Sequence, residues 1–399
     1  MNLRNEFGWL LATIAALLLL STQATAQEAL WQTYNDAGKR ALKQGRYTEA
    51  ETLYKEAIGV ARGLAGRSSR LAQSYNDLGC VLIEEGRYDD AEPLLQWALT
   101  AREQDAGPES GAAGQTLNNL AGLYKAQGRH SLAEPLYRRS LAIREKTLGR
   151  EHPLVAASLS NLGTVHQAQG KPIQAEALFR RALAIREKAM GPDHPDAAAS
   201  LEDLAVLQLR QRRFSEAEPL LNRALEIKEK TLGPDHPDTA ASLNNLASLF
   251  SLTNQHSKAE PLLKRALSIY ERTLPADHPT LAMILHNLAA VYHSQEQHDK
   301  AIPLYRRALA ISEKAFGSDH PNVARNLHDL ALVHEAQGRF AEAESLYERA
   351  IEIWVRRLPA DHPTVRAVID RYATLLLKTT YTIEAEPRDA YASVLRAGS

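Results

Sequence analysis

Only one of the 399 residues is cysteine, Cys80. No intrachain disulfide can form, so packing alone must hold the fold. Cys80 itself reads as a small buried apolar side chain rather than a reactive thiol. Charge of one sign is also missing: 47 Lys and Arg stand against 48 Asp and Glu, interspersed along the chain, for a net charge of −1. Without a basic stripe, nucleic acid is not an expected partner. There is no G-x-S-x-G elbow, no phosphate-cradling glycine loop and no H-E-x-x-H pair. The residues that acyl transfer, nucleotide chemistry or zinc hydrolysis would need are therefore absent, and no enzyme is expected.

Long apolar runs are scarce as well. The run from Phe7 to Leu20 is shorter than the ~20 residues of a spanning helix. It follows Arg4 and precedes the small residues Ala24-Thr25-Ala26. That order predicts a cleavable, bacterial-type signal peptide over 1–26, with Gln27 as the mature N-terminus. A periplasmic or secreted protein without a membrane span is the expectation.

What the chain has is a period. His-Pro recurs at His152, His194, His236, His278, His320 and His362, every 42 residues. Fixed self-similarity of this kind means stacked supersecondary units rather than one globular core. In residues 108–149, Leu117, Leu120, Ala121 and Tyr124 follow helical spacing, Gly128 breaks the pattern, and Ala133, Tyr137 and Ser140 resume it. Ser131 with Glu134 has capping-box spacing, as do Thr48/Glu51, Asp89/Glu92, Ser215/Glu218 and Ser257/Glu260. Gly149, Gly191, Gly233 and Gly317 stand as left-handed helix stops. In the unit preceding each stop, charged runs such as Arg144-Glu145-Lys146 read as a solvated face. The recurring His precedes a proline suited to the first helical position, so the motif predicts helix starts, not a metal array. No metal and no cofactor are expected.

Small residues recur where helices must approach: Gly38, Gly79, Ala121, Gly163, Ala205, Ala247, Ala289 and Ala331 on first helices, and Ala50 through Ala343 on second helices. Leu162-Gly163, Ala175, Phe179 and Ala182, with Leu288-Ala289, Tyr292, Ala301, Tyr305 and Ala308, resemble the tetratricopeptide repeat (TPR). The 42-residue period and the Asn-Asn-Leu-Ala runs at Asn118 and Asn244 resemble its kinesin light chain-like subclass. The resemblance covers about residues 31–395. It implies an all-α, right-handed superhelical solenoid of about nine helix-turn-helix repeats that binds peptides or proteins. Repeats one and two fall in 27–107, three to eight in 108–359, and a degenerate, polar capping repeat in 360–399, where Thr379-Thr380 replace the turn glycine.

In such stacks first helices line the concave face. One polar row there comprises Asp36, Asp77, Asn119, Asn161, Asp203, Asn245, Asn287 and Asp329. Its neighbour comprises Asn35, Asn76, Asn118, Ser160, Glu202, Asn244, His286 and His328. An amide both donates and accepts, so it can read a strand backbone without choosing a sequence. The alternative role is to solvate the face or brace adjacent units. The candidate peptide-contacting residues are Asn118, Asn119, Asn161, Asp203, Asn244, Asn245, Asn287, Asp329, His286 and His328. The expected function is an exported scaffold or adaptor holding an extended peptide or protein. The alternatives are an envelope-assembly factor working through its convex face or ends, and an accessory subunit of a secreted enzyme. Intact-mass measurement on protein recovered from a bacterial periplasm should give a chain beginning at Gln27; a mass retaining residues 1–26 would overturn the cleavage.

Overall fold

The computed structural model describes residues 25–64, 67–357, 362 and 364–377. The apolar leader and the polar end of the last repeat lie outside them. All regular structure among the described residues is helical: α1 (25–43), α2 (Tyr47–Ala61), α3 (Arg67–Glu84), α4 (Tyr88–Ala106), α5 (Gly111–Ala126), α6 (His130–Leu148), α7 (Pro153–Ala168), α8 (Pro172–Met190), α9 (Pro195–Arg210), α10 (Phe214–Leu232), α11 (Pro237–Leu252), α12 (His256–Thr273), α13 (Pro279–Ser294), α14 (His298–Phe316), α15 (Pro321–Ala336), α16 (Phe340–Arg357) and α17 (364–377). From α3 to α15 each odd helix packs on the even helix after it, as the helix-turn-helix reading predicts. Two compact units divide the chain, Met1–Leu232 and Gly233–Ser399.

The histidines start the first helices. In α7, α9, α11, α13 and α15 the residue before the proline is the N-cap, and its imidazole accepts a backbone N–H two residues on. The bond is 3.1 Å from Leu154 N to His152 Nδ1 and 3.2 Å from Thr364 N to His362 Nδ1. The ring thus replaces the usual Ser or Asp at a position where a first-turn donor lacks a helical partner. The tautomer that makes this bond carries its proton on Nε2, leaving Nδ1 as the acceptor. At His320 burial, reinforced by Arg357, lowers the pKa to about 4.

The second helices start differently from the capping-box expectation. They begin two residues earlier, at Tyr47, Tyr88, His130 and His256, and their N-caps Arg46, Arg87, Arg129 and Gln255 make no side-chain cap bond. Three of the glutamates assigned to the boxes reach the next repeat instead, Glu51 to Arg87, Glu92 to Arg129 and Glu134 to Lys171, and Glu176, at the same place in its repeat, reaches Arg213. A basic residue placed at the following turn outcompetes a backbone N–H for the carboxylate. The stop glycines differ too. Gly149 has φ 87° and ψ 154°, an extended mirror-image conformation rather than the left-handed helical one, and one essentially confined to glycine.

Close approach is confirmed at the small first-helix positions. A Cβ on Gly163 would lie 2.5 Å from Phe179 Cε1, and one on Gly79 would lie 2.8 Å from Leu95 Cγ. Cys80 is half-buried and its thiol is pushed up to about 12, chiefly by burial, so it is unreactive. No helix among the described residues is long and apolar enough to cross a membrane.

At the turn glycine position, Arg212, Asn254 and Glu296 carry φ of 59°, 57° and 59°, which strains a branched carbon skeleton but suits glycine. Glu296→Gly should therefore stabilise the protein by about 1 kcal/mol in urea denaturation followed by circular dichroism; a lowered midpoint would show that the turn is not strained. Gly163→Ala should destabilise it by ~1–3 kcal/mol, and adding Phe179→Leu should restore part of the loss. An unchanged midpoint in the single variant would refute the close contact.

Candidate functional site

First helices touch one another directly within each unit, as α3 does α5, α7 does α9, α11 does α13 and α13 does α15. The two polar rows lie along these contacts and bond to each other. Asn119 Nδ2 donates to Asn76 Oδ1 at 3.0 Å, Asn161 Nδ2 to Asn118 Oδ1 at 3.0 Å, and Asn287 Nδ2 to Asn244 Oδ1 at 2.7 Å. Where the amides change, the rung persists: Asp203 bonds Ser160, and His286 Nε2 lies 3.1 Å from Asp329 Oδ2. Each rung joins a residue to the one 43 positions later. The bracing alternative is thus realised.

These residues are not entombed. Asn118, Asn119, Asn161, Asp203, Asn245, Asn287, His286, His328 and Asp329 are half-buried, whereas Asn244 and, earlier in the rows, Asn35, Asn76 and Asp77 are buried. A rung uses one N–H of the donor amide and one lone pair of the acceptor, so each Asn keeps capacity for a further partner.

Second helices are joined across a wider gap. Arg139 pairs with Glu103 at 2.7 Å, Arg181 with Glu145 at 2.6 Å and Arg223 with Glu187 at 2.9 Å. Arg307 and Glu271 (2.6 Å) and Arg349 and Glu313 (2.5 Å) repeat the pattern. Short amides span the first-helix side and long side chains the second-helix side. Each unit therefore bends with its first helices inside. The run Arg144-Glu145-Lys146 is correspondingly no mere solvated face: Arg144 Nη1 bonds Ser158 Oγ, Glu145 pairs with Arg181, and Lys146 pairs with Glu109.

Sequence reasoning missed a third row. Arg102 Nη1 bonds Thr116 Oγ1 at 2.8 Å, Arg144 Nη1 bonds Ser158 Oγ at 2.7 Å, and Arg186 Nη1 bonds Ser200 Oγ at 2.5 Å. Lys228 takes the next place and pairs with Glu202 at 2.8 Å. Burial pushes Arg102 and Arg144 below the ordinary arginine range. The recurrence of a base followed 14 residues later by Ser or Thr was the signal available.

In the second unit the histidines form a cluster. His286 Nδ1 lies 2.8 Å from Asn326 Oδ1, and Asn326 Nδ2 donates to Ser312 Oγ at 2.9 Å, which orients the amide. His286 thus has polar partners at both ring nitrogens, Asn326 at Nδ1 and Asp329 at Nε2. His328 Nδ1 lies 2.8 Å from Asp329 Oδ1. Burial raises the Asp329 carboxyl, but hydrogen bonds from His286 and His328 and their charges outweigh it and hold it well below the usual carboxylate range. Nearby, a cleft of about 290 Å³ opens between α11, α12 and α13, lined by Ser248, Leu252, Leu263, Asn287 and Val291 among others. Leu263 holds the place that Tyr305 and Tyr347 take in later repeats. The described residues contain no group of three or more His, Cys, Asp or Glu able to hold a metal.

A carboxyl depressed by folding stabilises the protein above its unfolded pKa of about 3.9 and loses that contribution as pH falls through the folded value. Asp329→Asn should therefore lower the urea midpoint equally at pH 7 and pH 5, by ~1–3 kcal/mol, and the deficit should shrink below about pH 4. A deficit as large at pH 2 as at pH 7 would contradict the depressed carboxyl.

Models of the tetratricopeptide repeat match residues 32–104, 113–188, 158–230, 211–272 and 280–376, and a further one matches 76–146. No curated protein matches the chain. Among solved structures, a candidate kinesin light chain of Podosopora anserina with nearly identical TPR-like repeats is 31% identical over 51% of this chain and 97% of its own, with a TM-score of 0.45. BtubC (BKLC) from P. vanneervenii is 24% identical over 59% of this chain and 91% of its own, with a TM-score of 0.44. A Rap protein complexed with Competence and Sporulation Factor is 14% identical over 89% of this chain and 99% of its own, with a TM-score of 0.53, a likeness of fold. With the repeat models spanning most of its length, the chain belongs to the tetratricopeptide repeat family.

Proposed function

We propose that the protein is an exported adaptor that holds an extended peptide, or an extended segment of a protein, along its first-helix face. The TPR fold is typical of protein-binding scaffolds. The observation that carries the reading is the row of first-helix amides, joined in rungs at Asn76/Asn119, Asn118/Asn161 and Asn244/Asn287 and mostly half-buried, with bonding capacity left over. Contacting helices lie ~8–10 Å apart, and an extended strand advances ~3.3 Å per residue. One rung therefore meets about every third residue of a strand. Backbone groups of a peptide would bond Asn118, Asn119, Asn161, Asn244, Asn245 and Asn287, while Asp203, His286, His328 and Asp329 supply the positions that discriminate between ligands. The cleft beside Asn287 fits one apolar side chain, with the buried Nδ1 of His256, which makes no hydrogen bond within the described residues, as a polar anchor.

The second-helix face supports a docking role less well, because its arginines and glutamates already neutralise each other across repeats. The leader over 1–26 supports export, with the periplasm or the cell exterior as the working compartment.

The test is affinity capture from bacterial envelope extract with the wild type and with Asn161→Ala/Asn245→Ala/Asn287→Ala. Each lost rung should cost about 1 kcal/mol of stability, so helicity is first confirmed by circular dichroism. Loss of a specific partner from the folded triple variant, by at least about tenfold, is the expected result. Full retention would move the binding surface elsewhere.

A further inference from the structure

A second cleft, of about 350 Å³, lies in the first unit between α1, α3, α4 and α5. Its floor holds Arg102, only 6% exposed. The guanidinium bonds three neutral oxygens: Ala112 O at 3.0 Å and Thr116 Oγ1 at 2.8 Å through Nη1, and Gln73 Oε1 at 2.6 Å through Nη2. No carboxylate lies within ion-pair distance of it among the described residues, whereas Lys228, in the equivalent place three repeats on, pairs with Glu202. These bonds occupy both Nη1 donors and one on Nη2. Nε–H and the other Nη2–H remain, two donors of the kind that grip a carboxylate. Asp77 acts on the guanidinium only at a distance, with Gln73 between them, whose Nε2 donates to Asp77 Oδ2 at 2.7 Å; a buried cation without a direct anionic partner is costly, and an anion bound in the cleft would lower that cost.

Asp105 stands three residues after Arg102 on α4, at the rim of the same cleft. Residues so spaced are neighbours on a helix surface. They nevertheless form no ion pair, because the α5 carbonyl and Thr116 hydroxyl draw the guanidinium inward. Opposite charges are thus presented side by side and unjoined. The wall is Trp31, whose ring is fixed by a 3.0 Å bond from Nε1 to Ser74 Oγ. Glu28, also at the cleft, is engaged by Arg70. A dianion such as phosphate would meet repulsion from Asp105 and Glu28.

We propose that this cleft binds a free α-amino acid with an apolar side chain, its carboxylate on Arg102, its ammonium beside Asp105 and its side chain against Trp31. The carboxylate and ammonium of one α-carbon suit charges displayed at neighbouring helical positions, and the volume admits a leucine-sized molecule. The site stands apart from the proposed peptide-binding row and does not depend on it.

Isothermal titration of the purified protein with L-leucine, N-acetyl-L-leucine, L-leucinamide and the dipeptide Leu-Leu tests the assignment. L-leucine should bind at one saturable site, and each capped form should bind at least about tenfold more weakly. Asp105→Asn, a change at an exposed residue, should weaken L-leucine and leave N-acetyl-L-leucine unchanged. Arg102→Lys, with helicity verified by circular dichroism, should abolish both. The proposal is overturned by absence of saturable heat with L-leucine, by leucinamide binding as well as leucine, or by an Asp105→Asn variant indistinguishable from wild type. Tighter binding of Leu-Leu than of L-leucine would overturn the free amino acid in favour of a peptide.

Discussion

The difference in reach between the two helix layers governs the rest of the structure. First helices are joined by asparagine to asparagine, one short amide against another. Second helices, which lack the direct contacts that first helices make, are joined by the longer side chains of arginine and glutamate. Two side chains of that difference in length cannot serve parallel layers, so each unit must curve. The polar inner rows, their partial burial and the clefts between first helices all follow from that bend.

The bend also needs each hairpin to be tight. Glycine or alanine on the first helix faces a large residue on the second, as Gly163 faces Phe179 and Gly79 faces Leu95. Leu263, one of these second-helix residues, lines the cleft between α11, α12 and α13. The same positions that hold the helices together thus set where a ligand side chain can enter.

Much of this was legible in the sequence because it depends on local signals. The period, the helix starts at His-Pro, the positive-φ turn positions and the close approaches all rest on one or two residue types at fixed spacing. What the sequence hid is competition between partners. Glu51 and Glu134 have the spacing of capping boxes, yet Arg87 and Lys171 from the next turn take them. Arg144 looked like surface charge, yet it turns inward to Ser158. The two rows of Asn118 and Asn119 were read as presented side by side to a ligand. Only the approach of neighbouring first helices shows that each pairs with the other row one repeat away. Such choices depend on distances between repeats, which a spacing rule within a repeat does not contain.

The rungs are uniform in step but not in chemistry. Asparagine meets asparagine at two early joints, serine meets aspartate at Ser160 and Asp203, and histidine meets aspartate at His286 and Asp329. Each joint therefore accepts its own neighbour better than a stranger. Transposing two modules of this array would set aspartate against asparagine, or part His286 from Asp329. Modules that look interchangeable by length are consequently keyed to one linear order, much as differently cut teeth allow only one sequence of links in a chain.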